Sequence, residues 1–124
     1  HLFKLNTTLG DSMMKQQQKL ARLTTVNQLL EQLNTSVPIE KVEIRKLISQ
    51  AYATINQPDS VTKRYQQIPD AINELIGQLQ VMAVAKKYHF SSEQDQLIAN
   101  LTTSTNKMFA HGWYGLIAMS GVGK

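Results

Sequence analysis

Apolar side chains recur every three or four positions in four successive stretches of this chain, a spacing typical of amphipathic helices. The stripes consist of Leu20, Leu23, Val26, Leu30 and Leu33 in the first stretch; of Ile44, Leu47, Ile48, Ala51, Tyr52 and Ile55 in the second; of Val61, Tyr65, Ile68, Ile72, Leu75, Leu79 and Met82 in the third; and of Leu97, Ile98, Leu101, Thr105 and Met108 in the fourth. No stretch shows the sustained alternation of a half-buried strand. Since short connections make consecutive helices antiparallel neighbours, the sequence predicts an all-α, antiparallel four-helix bundle.

Residues that favour helix starts predict two of the boundaries. Pro38 suits the first turn of the second helix, and Glu40 would complement the positive end of its dipole. Ser91 and Gln94 have the spacing of a capping box, in which each residue bonds the backbone N–H of the other. We therefore predict that the fourth helix begins directly after Ser91.

Proline and glycine mark the remaining boundaries. Pro69 interrupts the third stripe, and because a proline inside a helix costs about 3 kcal/mol, we predict that the main third helix begins there. Residues 60–67 would then form a short preceding helix or turn. Gly77 inside this helix predicts a close approach of another helix, and Gly112 predicts the end of the fourth.

The length of 124 residues suits a single domain, which we divide into three segments. Residues 1–12 carry no helical period and precede Met13 and Met14, which predicts a vector-derived or disordered leader. A native frayed arm is the alternative interpretation. The bundle is predicted for residues 13–112, and residues 113–124 follow as a C-terminal tail.

The amino-acid composition of the chain argues against several classes of function. The chain has 13 Lys and Arg against 9 Asp and Glu and no cysteine, which excludes a disulfide framework, a thiolate zinc site and a cysteine nucleophile. The basic residues are spread out, with only Lys86 and Lys87 beside Tyr88 forming a small patch, so nucleic-acid binding is not predicted. The longest apolar runs fall far short of the ~20 residues that span a bilayer. We predict a cytoplasmic protein.

Side chains that carry catalysis or bind metals do not occur in productive patterns. No second histidine stands three or four positions from His1, His89 or His111, and the one carboxylate at such a spacing is Glu93 after His89. No metal site is therefore predicted. Two acidic pairs, Glu40 with Glu43 and Glu93 with Asp95, are expected at exposed helix starts rather than in a cleft. We predict no catalytic residue and no cofactor.

The tail concentrates aromatic and aliphatic residues in a chain that is otherwise poor in aromatics. Residues 113–119 include the single tryptophan, Trp113, followed by Tyr114 and a short aliphatic run. One interpretation is that the tail folds back over an open groove of the bundle. The other is an adhesive tail for a protein or a membrane, because tryptophan and tyrosine dominate interface hot spots.

Three motifs in residues 69–114 follow one another in an order that resembles a known family. Residues 68–75 (IPDAINEL) open the third helix, residues 86–94 (KKYHFSSEQ) form the turn, and residues 96–101 (QLIANL) lead into a helix that ends at Gly112 with an aromatic behind it. In these motifs the chain resembles the immunity proteins of pediocin-like (class IIa) bacteriocins, especially the enterocin A-type group. The first half of the chain resembles that family only in its pattern of helices.

The resemblance implies a non-enzymatic four-helix bundle in the cytosol of the producing cell. Proteins of this family bind the bacteriocin-occupied mannose phosphotransferase permease from the cytosolic side and block the pore. The resemblance also implies that specificity resides in the C-terminal half and that the protein makes a weak contact with the inner membrane surface. The candidate partner-binding residues are Lys86, Lys87, Tyr88, His89, Lys107, His111, Trp113 and Tyr114. Solvation of the lysines, capping by His111 and groove cover by Trp113 are the structural alternatives.

Two other function classes fit a helical bundle of this size. A helical adaptor or oligomerisation module would share every feature except the resemblance in residues 69–114, and a large apolar dimer face would favour it. A small all-helical enzyme, such as a chorismate mutase, would need several basic side chains converging inside the bundle. Arg22, Arg45 and Arg64 are flanked by polar residues and are predicted to point outward.

Overall fold

A computed structural model describes the backbone of residues 2–108 and the side chains of residues 16–106. It contains four helices, α1 (Leu2–Ser36), α2 (Val42–Asn56), α3 (Val61–Val84) and α4 (Ser92–Met108), and no strand within residues 2–108. The all-α prediction is therefore confirmed. Gly112 and the tail lie outside the described residues.

Side-chain contacts between the helices define an up-down-up-down bundle. The Gln94 amide of α4 donates to the Ser36 carbonyl oxygen at 3.0 Å, so α4 begins where α1 ends and the two helices are antiparallel. The Thr62 hydroxyl of α3 donates to the Gln16 side chain of α1 at 3.5 Å, which makes these two helices parallel. Both α1 and α3 contact every other helix, whereas α2 and α4 do not touch each other in the described chain. The predicted antiparallel bundle is confirmed, with α2 and α4 on opposite sides of the α1–α3 pair.

The core consists largely of the predicted stripes. Burial of these aliphatic side chains holds the four helices together, because each fully buried one contributes about 1.5–3 kcal/mol relative to an exposed one. Two members of the stripes are exceptions, since Leu20 and Tyr52 are exposed. The buried apolar residues are Leu23, Val26, Leu30, Leu33, Val37, Ile44, Ile48, Ala51, Ile55, Ile68, Ala71, Ile72, Leu75, Leu79 and Leu101.

Two helix starts differ from the predictions. The helix α1 begins at Leu2, well before its apolar stripe, because extending an existing helix costs little once it has been nucleated. The origin of residues 1–12 stays a prediction. The helix α2 begins at Val42, so Pro38 and Glu40 lie in the preceding turn, where the Lys41 N–H donates to the Pro38 carbonyl oxygen at 3.0 Å. The predicted place of Pro38 in the first helical turn is wrong.

The prediction that α3 begins at Pro69 is wrong as well. The helix runs from Val61 to Val84 with Pro69 inside it, and Ser60 caps its start by accepting the Lys63 N–H at 3.1 Å. Tertiary packing explains the difference. Ile68 and Ile72 on either side of Pro69 are buried in the core, and they reach it only if the helix continues in register through the proline.

The close helix approach predicted at Gly77 is also wrong. Gly77 is exposed, and a Cβ built on it would have no neighbour within 4 Å. This glycine therefore has no packing role among the described residues, and its greater backbone freedom destabilises the helix.

We expect the free energy of unfolding of the Gly77→Ala variant to be about 1 kcal/mol higher than that of the parent chain. Alanine has the higher helix propensity, and no described atom within 4 Å obstructs its methyl group. Urea titration followed by the helical circular dichroism signal measures the difference. An unchanged or lower midpoint would mean that this position has a contact which the described residues do not show.

Candidate functional site

The turn between α3 and α4 carries four of the predicted partner-binding residues and has a defined backbone structure. The Lys86 N–H donates to the Ala83 carbonyl oxygen at 3.0 Å, and the Lys87 N–H donates to the Met82 carbonyl oxygen at 2.9 Å. Lys86 has a φ of 60°, in the left-handed region. These features form a Schellman motif in which a lysine occupies the position where glycine is usual. The motif ends α3 sharply and holds the two lysines side by side at its C-terminus.

The backbone of Lys86 is strained, because the left-handed conformation lowers the stability of the fold by about 1–2 kcal/mol when the residue is not glycine. We expect the Lys86→Gly variant to gain about 1 kcal/mol of unfolding free energy, because glycine adopts this conformation without a Cβ clash. Chemical denaturation measures this gain. The Lys87→Gly variant is the matched control, and it should not gain stability, because φ of Lys87 is not positive.

The second half of the turn is held by an aromatic pair and a buried amide. The rings of Tyr88 and Phe90 meet edge to face with their centroids 4.7 Å apart. The Tyr88 hydroxyl lies 3.0 Å from Nε2 and 3.3 Å from Oε1 of Gln94, whose side chain is only 3% exposed. Tyr88 is half-buried, so its ring belongs to the packing of the turn and only part of it faces solvent.

Gln94 also confirms the predicted capping box. Its N–H donates to Ser91 Oγ at 3.1 Å, and its Oε1 accepts the Ser91 N–H at 2.9 Å. The same side chain bonds the Ser36 carbonyl oxygen, which is an otherwise orphaned acceptor at the end of α1. Gln94 therefore ties together the end of α1, the turn and the start of α4. Sequence reasoning found the capping box but missed the bonds to Ser36 and Tyr88, because no local spacing reports a contact 58 positions away.

Four exposed aliphatic residues lie at the same end of the bundle as this turn, and sequence reasoning did not single them out. We call this set the α2–α3 tip: Ile39, Val42, Val81 and Val84, which are 61–83% exposed. A cleft of about 370 Å³ beside the tip is lined by Val42, Met82, Lys87 and Tyr88 among others. Such protruding aliphatic side chains are characteristic of contact surfaces when they occur together rather than singly.

Both signs of charge surround the α2–α3 tip. A second cleft of about 370 Å³, which Val81 lines, adjoins the first. The charged residues that line the two clefts are all exposed: Lys41, Lys46, Lys87, Glu40 and Glu43. An apolar centre with a mixed polar rim is the usual anatomy of a protein interface. The arrangement can therefore recognise a partner by shape and charge.

The structure brings together only half of the predicted site residues. Lys86, Lys87 and His89 are exposed on the turn, with Tyr88 packed beneath them. Exposure of His89 confirms its predicted surface position. The side chain of Lys107 and all of His111, Trp113 and Tyr114 lie outside the described residues, so their roles stay predictions.

The arginines differ from the prediction that they point outward, because each is half-buried and serves a local structural bond. Arg45 Nε donates to the Val37 carbonyl oxygen at 3.0 Å, near the start of α2. Arg64 Nε donates to the Pro58 carbonyl oxygen at 2.6 Å, just past the other end of α2. The two ends of α2 are about 22 Å apart, because the helix has 15 residues. The guanidinium groups of Arg45 and Arg64 therefore do not converge on one site.

Arg22 is near the start of the bundle, where its Nη1 donates to the Tyr65 hydroxyl at 3.3 Å. The Lys19 ammonium lies 5.9 Å from the centroid of the same ring, within the range of a cation–π contact. These two cations share a half-buried tyrosine on the surface between α1 and α3. The arrangement stabilises the contact between these helices.

Acidic and metal-binding groups are dispersed over the described surface. Glu40, Glu43, Glu93 and Asp95 are all exposed, as predicted for helix starts. No group of three His, Asp or Glu side chains among the described residues could hold a metal ion. No helix in the described part of the chain is long and apolar enough to cross a membrane.

Comparisons with known proteins give no relative from which a function could be transferred. No family model matches the chain, and neither the curated proteins nor the solved structures contain a significant match. The functional assignment therefore depends on the residues themselves.

Proposed function

We propose that this chain is a bacteriocin immunity protein that protects the producing cell from the cytosolic side. It would bind the mannose phosphotransferase permease once a pediocin-like bacteriocin occupies it, and so block pore formation. The motifs in residues 69–114 support this assignment, and the all-helical bundle agrees with it. The observation that carries the proposal is the α3–α4 turn, which presents Lys86, Lys87 and His89 from a backbone held by Gln94.

A rigid turn suits this role for an energetic reason. Binding by a flexible loop loses conformational entropy, and each immobilised side chain costs about 0.5–1.5 kcal/mol. Here the Schellman motif and the bonds of Tyr88 to Gln94 have already ordered the backbone. The two lysines can thus meet acidic groups of a partner while the adjacent α2–α3 tip supplies apolar contact area.

In this proposal the protein acts by contact and carries out no catalysis. It needs no catalytic residue, metal or cofactor, and it works in the cytoplasm, in part at the inner face of the membrane. Direct attraction to the anionic membrane surface would be weak, since each of the two lysines on the turn contributes about 1 kcal/mol. The permease complex would therefore provide most of the affinity.

The second candidate is a helical adaptor of unrelated role. The observation that favours it is the α2–α3 tip, because exposed aliphatic residues beside a mixed-charge rim fit many protein partners. The small-enzyme alternative has less support, since Arg45 and Arg64 bond opposite ends of α2.

A protection assay tests the immunity proposal. The full chain is expressed in the cytosol of a sensitive lactic acid bacterium, which is then challenged with a panel of pediocin-like bacteriocins. We expect a higher inhibitory concentration for one or a few members of the panel and no change for the rest. Folded chain that protects against none of them would overturn the proposal and leave the adaptor as the better candidate.

Two variants locate the contact. Lys86→Gln with Lys87→Gln should reduce protection roughly tenfold, because the loss of two charged contacts weakens binding by on the order of 1–2 kcal/mol. The matched control is Lys63→Gln, an exposed lysine at the start of α3 and at the other end of the bundle, which should protect like the parent. Full protection by the double variant at equal expression would exclude the turn as the contact.

A further inference from the structure

One face of α3 is open to solvent over residues 70–84. We call it the outer face of α3, and it consists of five exposed residues: Asp70, Glu74, Gly77, Val81 and Val84. At about 100° per residue, these positions fall within about 80° of arc around the helix axis. The buried side chains of Ile72, Leu75 and Leu79 project from the opposite side. The outer face therefore points away from the core of the bundle.

The residues of the outer face occur in an order that complements itself when it is reversed. Asp70 and Glu74 place two carboxylates toward its start. Val81 and Val84, which are 61% and 83% exposed, lie toward its end. The two exposed lysines of the α3–α4 turn follow directly. An antiparallel second copy would therefore meet opposite charges at both ends, whereas a parallel copy would meet like charges.

The middle of the outer face also fits an antiparallel second copy. When the two-fold axis lies at the level of Leu79, Val81 of each copy is opposite Gly77 of the other. Gly77 presents no side chain, and a Cβ built on it would have no neighbour within 4 Å. The valine of the second copy can enter this space, and the two helices can approach each other closely there.

The charged residues meet in the same arrangement. Lys86 and Lys87 of one copy lie at a level between Asp70 and Glu74 of the other, because they are intermediate in their distance from the two-fold axis along the chain. The symmetry repeats this contact at the other end of the interface, so that two basic pairs meet two acidic pairs. Opposite charges placed in this way favour one orientation and one register of the two helices.

We propose that two copies of this chain form a two-fold symmetric dimer through the outer faces of α3, with the two helices antiparallel. The contact also accounts for Gly77, which destabilises the helix and has no packing role among the described residues of a single chain. Since residues 70–84 span only about 21 Å, the interface is small, and the dimer should exchange with the monomer.

This inference does not depend on the proposed function. The dimer and the permease complex would both use Lys86 and Lys87, so that the two contacts would exclude each other. A chain that protects without forming a dimer would leave the proposed function intact, and a dimer that does not protect would leave this inference intact.

Sedimentation equilibrium of the full chain tests the proposal. Between about 1 μM and about 1 mM, a range that covers weak dimers, we expect the average mass to rise from that of the monomer toward twice that value. A chain that stays monomeric over the whole range would overturn the proposal.

A substitution of Gly77 separates a specific contact from nonspecific hydrophobic association. Gly77→Leu adds apolar surface, which would strengthen nonspecific association, but it fills the space that receives Val81. We expect the dissociation constant of the dimer to rise about tenfold or more, because an added side chain holds the two helices apart. Ala99→Leu is the matched control at an exposed position on α4, and it should leave the dissociation constant unchanged. A dimer that Gly77→Leu leaves unchanged or strengthens would overturn the proposal.

Charge reversal tests the antiparallel arrangement. Asp70→Lys with Glu74→Lys leaves only basic charges along this surface, and Lys86→Glu with Lys87→Glu leaves only acidic ones. Each double variant should be monomeric at concentrations where the parent is dimeric, because like charges then meet across the interface. An equal mixture of the two double variants should form a heterodimer, because opposite charges meet again.

A third double variant controls for the change in net charge. Glu31→Lys with Glu93→Lys changes the net charge as much as reversal of the two carboxylates of α3, but at exposed positions on α1 and α4. It should dimerise like the parent, and circular dichroism establishes that each variant retains its helices. Equal loss of the dimer in this control, unchanged dimerisation of the reversed variants, or a mixture that stays monomeric would contradict the assignment to the outer face of α3.

Discussion

Replacement of Gln94 by alanine should lower the free energy of unfolding by about 2–3 kcal/mol. The variant keeps its backbone N–H bond to Ser91 Oγ but loses the side-chain oxygen that accepts the Ser91 N–H, a bond worth about 1 kcal/mol. It also leaves the half-buried Ser36 carbonyl oxygen without its donor, which costs about 1–2 kcal/mol. Tyr88 loses its hydrogen-bond partner at the same time. Urea titration followed by circular dichroism measures the loss.

Two further variants separate the roles of Gln94. Gln96→Ala is the matched control, since Gln96 is an exposed glutamine on the same helix that bonds Asn100 across one turn, and it should cost a few tenths of a kcal/mol. Gln94→Glu retains the oxygen that accepts the Ser91 N–H but cannot donate to Ser36, so its stability should lie between those of the parent and the alanine variant. If Gln94→Ala were no more harmful than Gln96→Ala, the tie between α1 and α4 would be energetically unimportant.

Replacement of Pro69 by alanine should raise the free energy of unfolding by about 2 kcal/mol. A proline in a helix interior costs about 3 kcal/mol, and about 1 kcal/mol of this is offset because proline restricts the unfolded chain. Alanine supplies a backbone N–H and removes the ring from the helical ladder, while the buried Ile68 and Ile72 remain in place. Thermal or urea unfolding of the two chains gives the difference.

Pro58 provides the control for this prediction. It lies in the connection between α2 and α3, where its ring meets no helical ladder and its carbonyl oxygen accepts a bond from Arg64. Pro58→Ala keeps that carbonyl group and increases only the conformational entropy of the unfolded chain. The free energy of unfolding should therefore fall by up to about 1 kcal/mol. If replacement of Pro69 raises the free energy of unfolding and replacement of Pro58 lowers it, Pro69 strains α3. If both replacements lower the free energy of unfolding, packing of the Pro69 ring outweighs the strain.

The candidate site was predictable in part. The short spacing from Ser91 to Gln94 indicated the start of α4, and the order of residues 86–90 indicated an exposed basic turn. The aliphatic residues of the α2–α3 tip come from two helices and the turn before one of them. Val42 and Val81 line two clefts that share Glu43, Met82 and Lys87, and these clefts exist only because α2 and α3 pack against each other. Nothing in the local sequence around Val42 or around Val81 predicts that these two side chains are exposed.

For residues 2–108, hydrophobic periodicity alone determined that the chain is helical, how many helices it forms there and which faces they bury. The reason is that burial of an apolar stripe dominates the free energy of a helix in a bundle. Tertiary structure decided where local preferences compete with packing. At Pro69 the local cost argues for a helix start, but the register of Ile68 and Ile72 in the core outweighs it. At Gly77 the local pattern suggested a close contact, and the relative placement of the helices leaves that position open to solvent. The bond from Gln94 to Ser36 likewise depends on α4 beginning beside the end of α1, a relation that only the folded chain establishes.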